Sequence, residues 1–476
     1  MNYEPVIGLE VHAQLRTKSK LFAPASTTFG ASPNTNTTEI CLGMPGVLPV
    51  LNMQAVQLAV RAALGLNCTV HSRSQWSRKH YFYPDLPKGY QISQYDHPIA
   101  TNGHLKINVA GTEKVVRIER IHMEEDAGKN VHDAAVAGSR SYVDFNRAGI
   151  PLVEIVTKPD IHSPEEASTY MKALRQILRY LLVCDGNMEE GSLRCDANVS
   201  IKPVGQKELG TRTEIKNINS FRFVNQAIQY EILRQTEVLD KGEKVVQETR
   251  LWDSQAKMTR SMRSKEEAHD YRYFPDPDLP DLLLEENTVH EIQTQMPELP
   301  AEKTHRYIQE LGLSEYDAVV LCEDADVAEF FEVAINCHNN PKAIANWVIN
   351  DILRIIKGKT LCALPFSGND LGVLVQLIDN QTISGKIAKD VFEQMLTTGK
   401  KPEQIVESKG LKQLTSQEDI EPIVDEILAS NAENVTKYKA GNTKLLGFFV
   451  GQIMKKTAGK ANPKLVNELL QKKLNS

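Results

Sequence analysis

Long apolar runs are missing from this 476-residue chain. No stretch approaches the ~18 uninterrupted apolar residues that a membrane helix requires. The opening Met1-Asn2-Tyr3-Glu4-Pro5 lacks the basic-then-apolar build of a signal peptide, so a cytoplasmic location is expected. Cysteine is sparse. The seven at positions 41, 68, 184, 195, 322, 337 and 362 are scattered, odd in number and include no Cys-x-x-Cys pair, which fits reduced thiols better than a disulfide frame or zinc knuckle. Internal repeats and glycine loops of the Walker or dinucleotide type are also absent, which removes weight from solenoids and the commonest nucleotide folds. A net charge of −6 argues against a uniformly basic nucleic-acid binder, although nine lysines against two glutamates between Asn431 and Ser476 make the C-terminal end locally basic.

The chain exceeds the about 250–300 residues at which one core stops growing, so two or three domains are expected. With 41% apolar and 24% charged residues, wholly disordered and low-complexity classes are excluded. Ile7, Leu9, Val11, Ala13 and Leu15 alternate with Gly8, Glu10, His12, Gln14 and Arg16, the period of a half-buried strand. Leu193 to Ile201 alternates in the same way, and Thr211 to Asn217 reads as extended. Ser163-Pro164 with Glu166 predicts a capped helix whose stripe is Ala167, Tyr170, Met171, Leu174, Ile177, Leu178 and Leu181. A second helix is expected from Asn52 to Gly65, with the glycine as left-handed cap. Proline clusters at Pro275, Pro277 and Pro280 and again at Pro297 and Pro300 mark a break. Beyond it the pattern is helical, opened by Asn340-Pro341 and Asn462-Pro463. The expectation is an α+β chain: a mixed β-sheet domain with helices over residues 1–292, an all-α domain over 293–403 and a small helical tail over 404–476.

Several side chains could carry chemistry. Glu10 and His12, two apart on a strand, point to one face within reach of a common metal ion or phosphate. Such a pair is more often solvated surface. Glu124, Glu125 and Asp126 place three carboxylates in a row, a cluster that attracts a cation although solvated acidic turns are commoner. Glu154 interrupts the apolar run Pro151 to Val156 and needs a partner, either a cation such as Arg147 or a divalent ion. Asp196 is a further candidate on its strand's polar front. Carboxylates with one imidazole suit Mg2+ or Mn2+ better than a structural zinc. Arg78-Lys79-His80-Tyr81-Phe82-Tyr83 and its echo Tyr271-Arg272-Tyr273-Phe274 mix cations with rings, as phosphate-holding and base-stacking segments do. An ordinary aromatic loop has the same composition.

The run Val143-Asp144-Phe145-Asn146-Arg147-Ala148-Gly149-Ile150-Pro151-Leu152-Val153-Glu154 resembles the signature of the B subunits of tRNA-dependent glutamyl/aspartyl amidotransferases. Val6-Ile7-Gly8-Leu9-Glu10-Val11-His12, His122-Met123-Glu124-Glu125-Asp126-Ala127-Gly128, Met188 to Asn198 and Asp270 to Pro275 agree in order. The resemblance implies a cradle-shaped catalytic domain, a helical domain and a tail that touches tRNA. It implies partners too: an amidase-type glutaminase A subunit that releases ammonia, a small C subunit, and misacylated Glu-tRNA(Gln) or Asp-tRNA(Asn). The implied cofactors are ATP and Mg2+. Carried over by motif, the metal ligands are His12, Glu125 and Glu154, with Glu124 substituting for or assisting Glu125 and Glu10 and Asp196 forming a second or transient position. Glu125, Glu10 and Lys79 take catalytic roles, and Lys79, Tyr81 and Arg147 hold the nucleotide or terminal adenosine. Many relatives carry four zinc-type cysteines, but here Cys41 alone occupies that region, so no structural zinc is expected. Two other readings use the same residues: a non-enzymatic tRNA scaffold, and a metal-dependent hydrolase working without ATP.

Overall fold

The computed structural model describes residues 2–131, 140–264, 271–356, 361–414, 416–457 and 459–475. The chain divides into two compact units, Met1–Pro300 and Ala301–Ser476.

Among the described residues, the first unit is built on a twelve-stranded sheet. Its strands are β1 (Tyr3–Gln14), β2 (Thr69–Val70), β3 (Ser77–His80), β4 (Tyr90–Ser93), β5 (Ala100–Val109) and β6 (Thr112–Glu125). β7 (Pro151–Thr157), β8 (Leu193–Pro203), β9 (Thr213–Ile218), β10 (Glu248–Asp253), β11 (Met258–Ser264) and β12 (Phe274–Pro275) complete it. The order runs β11-β10-β9-β8-β1-β7-β6-β4-β3-β12, with β5 joining β6 to β2. β9 and β10 are parallel and the remaining pairs antiparallel, so the sheet is mixed. β1 is interior, and the alternation read in its sequence is the alternation of its two faces. Ile7, Leu9, Val11 and Ala13 are wholly buried, while Glu10, His12 and Gln14 are half-buried on the other side. Every residue of β7 is buried.

Helices α1 (Met53–Gly65), α2 (Pro164–Tyr180) and α3 (Phe221–Asp240) share one hydrophobic core with the apolar back of the sheet. Ser163 caps α2, its hydroxyl accepting from Glu166 N at 3.1 Å, and the predicted stripe of seven residues is buried. The returning half of the capping box lands one residue early, where His162 N donates to Glu166 Oε2 at 2.7 Å. Asn52 caps α1 as expected. The left-handed turn after α1 falls on Asn67, with φ of 55°, and not on Gly65. Gly65 instead lies against the end of α2: a Cβ there would stand 2.4 Å from Leu181 Cδ1, so any side chain would make the buried Leu181 methyl shift.

The second unit is helical. Pro341–Trp347 starts at the predicted Asn340 cap and runs on through a π-helical turn, Val348–Ile352, which keeps Ile344, Trp347, Val348 and Ile352 buried on one side. Pro463–Asn475 begins where Asn462-Pro463 predicts. Two separate apolar clusters form within this unit, one from Tyr307 to Val406 and one from Ile420 to Leu474. Among the described residues no helix is long and apolar enough to cross a membrane.

Candidate metal and phosphoryl-transfer site

Pairing across three strands puts the polar front of the sheet to use. β1 faces β7 with His12 opposite Glu154, and β7 faces β6 with Glu154 opposite His122. Directly opposed residues share a face, so an imidazole, a carboxylate and an imidazole stand in one row. Glu124, two residues beyond His122, adds its carboxylate to that face. His12 Nε2 lies 3.3 Å from Glu154 Oε2 and 3.8 Å from Glu124 Oε1. His12, Glu124 and Glu154 each offer one ligand atom within 4.8 Å of the others. Among the described residues no lysine or arginine makes an ion pair with Glu124 or Glu154.

The electrostatics follow from burial and these neighbours. Burial alone would raise the carboxyl of Glu154, but His122 and His12 hold it well below the usual carboxylate range. Burial likewise disfavours charge on His122, yet Glu154 and Glu124 raise its imidazole to about 9. His12 is raised for the same reason. A compact site whose two carboxylates are both held below the usual range, with no lysine or arginine in ion-pair contact among the described residues, has the donor set for a divalent cation.

The other predicted ligands are held by other partners. Glu125, adjacent in sequence to Glu124, faces the opposite way, as successive strand residues must. Its Oε1 accepts from Ile92 N at 2.9 Å and from Lys88 Nζ. The carboxylate that stands with His12 and Glu154 in this structure is Glu124, while Glu125, expected there as a ligand, is held by Lys88 and the backbone of Ile92. Glu10 and Asp196 are register partners on β1 and β8, but each is already engaged. Asn198 Nδ2 donates to Glu10 Oε1 at 2.8 Å, and Lys216 Nζ to Asp196 Oδ2 at 2.7 Å. Burial, with Glu154 and Glu214 adding negative charge, raises the Glu10 carboxyl.

Lys79 reaches toward the cluster. Burial would lower its ammonium, but Glu124, Tyr273 and Glu154 hold it raised, and its Nζ sits 4.9 Å over the Tyr271 ring. Tyr81 meets Tyr271 edge-on at 6.2 Å between ring centroids, and burial raises its hydroxyl. The two aromatic motifs are brought side by side by β3 and β12, where Phe274 pairs with Arg78. Asp270, at the head of the second motif, lies outside the described residues. Arg147 is committed to the backbone, donating through Nε to Ala127 O at 2.9 Å and through Nη2 to Gly128 O at 2.7 Å. It stands beside Asp126 and not beside Glu154. Cys41 accepts from Lys20 Nζ at 3.5 Å and packs against Ala23, Ala25 and Ile40.

Residues 5–290 match the family description "GatB/GatE catalytic domain", and residues 329–474 match "GatB domain". The chain belongs to the GatB family. It is 55% identical over 474 residues to the B subunit of the aspartyl/glutamyl-tRNA(Asn/Gln) amidotransferase of Thermodesulfovibrio yellowstonii, covering 99% of each chain. It is 57% identical over 477 residues to the protein of the same name from Geobacter sulfurreducens, covering 100% of each. The namesake from Myxococcus xanthus is 54% identical over 475 residues, covering 99% of each.

Two residues of this GatB site are not singled out by the sequence. His122 stands in a family motif without being marked there as a ligand; the strand period, which ties residue 122 to residue 124, is the signal that selects it. Lys216 reads only as a member of a polar strand face. Its capture of Asp196 depends on the antiparallel pairing of β8 with β9, which sequence alone does not supply.

Proposed function

We propose that His12, Glu124 and Glu154 form the divalent-cation centre at which this chain, as the B subunit of a tRNA-dependent amidotransferase, activates an aminoacyl side chain. The substrate is glutamate on tRNA(Gln) or aspartate on tRNA(Asn), and the product is the corresponding amide. A side-chain carboxylate is a poor acyl donor. Phosphorylation by ATP gives an acyl phosphate, from which ammonia displaces phosphate, so one hard step becomes two easier ones. Ammonia comes from the glutaminase A subunit, and a small C subunit completes the heterotrimer. A bound Mg2+ supplies charge neutralisation between phosphate and carboxylate.

The chain's own residues do the rest. His12, Glu124 and Glu154 hold the cation, and the sheet keeps them at fixed spacing before substrate arrives. Lys79, raised and directed at the same carboxylates, orients a phosphate oxygen. Tyr81 and Tyr271 form an aromatic edge against which an adenine ring can stack. Asp126, held by Arg194 and Gln14, anchors the end of β6 next to Glu124. The apolar cluster from Ile420 to Leu474 is taken as the tail domain that contacts tRNA phosphates through its lysines.

The observation that carries this reading is the pair of buried carboxylates, Glu124 and Glu154, whose only ion-pair partners among the described residues are imidazoles. The test is Glu154→Gln in the reconstituted heterotrimer, assayed with misacylated tRNA, ATP and an ammonium salt so that the glutaminase step is bypassed. Amidation should fall at least about 100-fold while tRNA binding and glutaminase activity persist. Near-normal amidation would favour the scaffold reading instead.

A further inference from the structure

Lys20 is a buried amine with no part in the chemistry at Glu124 and Glu154. It is 1% exposed, and its side-chain partners among the described residues are Cys41 Sγ at 3.5 Å and Phe145 O at 3.2 Å. Neither is a carboxylate. Taking an ammonium out of water without a counter-ion is costly, and such a group tends to give up its proton. Burial does lower Lys20, although Cys41, Glu125 and Asp144 oppose the fall. A neutral amine is a nucleophile, and the atom it faces here is sulfur.

Amine and thiol also share a space. A cavity of about 30 Å³ is lined by Lys20 and Cys41 together with Gly43, Lys88, Glu125 and Gly149, with room for a molecule the size of water or hydrogen peroxide. The other thiols of the sheet unit lack this arrangement. Cys68, Cys184 and Cys195 hydrogen-bond to backbone groups alone. Burial pushes the first two up to about 12 and raises the third as well. Such thiols react slowly with peroxide, because the thiolate is the form that attacks.

We infer that Lys20 and Cys41 form a covalent modification site, at which hydrogen peroxide joins Sγ to Nζ as a sulfenamide. The Cys41 thiolate attacks the O–O bond of the peroxide; sulfur gives up two electrons, becomes a sulfenic acid and releases one water. Lys20 Nζ then attacks the sulfenic sulfur. The S–N bond forms, the S–O bond breaks, and the departing hydroxide takes a proton from nitrogen to leave as a second water. Thiol, amine and one peroxide thus give the sulfenamide and two waters. The link ties the turn at residues 38–43 to the segment after β1, and it removes a basic nitrogen from the wall shared with Glu125.

The test treats the intact heterotrimer with hydrogen peroxide, alkylates free thiols after denaturation and digests with trypsin. Residues 19–61 should appear as one peptide, uncut after Lys20 and two hydrogens lighter than that sequence with free side chains. Fragmentation should place the link between Lys20 and Cys41, and dithiothreitol should restore cleavage after Lys20. Cys68, Cys184 and Cys195 should be alkylated as in untreated protein. Cys41→Ser and Lys20→Arg should each abolish the linked peptide. The wild-type digest needs no variant, so a folding defect in either cannot mask the result. Full alkylation of Cys41 after treatment overturns the inference. So does Cys41 recovered as a sulfinic acid or a disulfide with Lys20 cut normally.

Discussion

In the unit spanning residues 1–300, Glu124, Glu125, Asp126, Glu154 and Glu231 are all buried. In the unit from Ala301 onward, no charged side chain among the described residues is buried, and paired carboxylates such as Asp351 and Asp425 remain 23% and 56% exposed. The helical unit has no reason to take charge out of water and does not. The sheet unit does so repeatedly, at a cost of several kcal/mol per unpaired ion, and in two distinct ways. Glu231, on the buried face of α3, is clamped by Arg234 and Arg250, with Gln235 and Thr259 filling its remaining acceptor sites. Glu124 and Glu154 have only titratable imidazoles as ion-pair partners among the described residues. Burial of charge alone therefore does not mark a site; the nature of the partner does.

This contrast can be broken at its structural end first. Glu231→Ala leaves Arg234 without its carboxylate, while Arg250 keeps Glu248, and should cost about 3 kcal/mol, read as a lower denaturant midpoint for the full chain. A loss under about 1 kcal/mol would mean the clamp is no more valuable than a surface pair. A smaller effect is expected from pH. Burial would raise the carboxyl of Asp126, but Arg194 and Arg147 hold it below the usual range. A carboxyl depressed in the folded state contributes stability above its unfolded value near about 3.9, and loses it as pH falls below that. Wild type should accordingly lose stability more steeply than Asp126→Asn below about pH 4, and parallel acid-unfolding curves would count against the pairing. The smallest change belongs to the helical unit. Ser367 and Asp370 form a reciprocal cap at the start of Gly368–Asp379, and Ser367→Ala should cost about 1 kcal/mol with no change in amidation.

Much of this architecture was legible in the residues. The alternation of β1 and β8, the caps at Asn52, Ser163, Asn340 and Asn462, and the helical final third are local patterns, and each is set by neighbours within a few residues. The candidate site was legible in part. His12 and Glu154 stand out because a charged residue in an apolar strand requires an explanation, and their strands are indeed adjacent. The choice between Glu124 and Glu125 was not legible, because it depends on the phase in which β6 meets β7, including a register shift beside Val156. Neither was the engagement of Arg147 with a turn backbone, which arises from the return of the chain at residues 145–150 to Ala127 and Gly128.

Residue order alone was sufficient for the kinds of secondary structure, the helical capping residues, the family and the pool of acidic and imidazole side chains. Those are properties of short segments and of motifs read in sequence. Which members of the pool share a space was decided by strand pairing. A one-residue change of phase sends a carboxylate to the opposite face of a sheet, and only the assembled sheet determines that phase. Folding therefore set Glu124 beside His12 and Glu125 beside Lys88, brought His122 to Glu154, and gave Asp196 to Lys216.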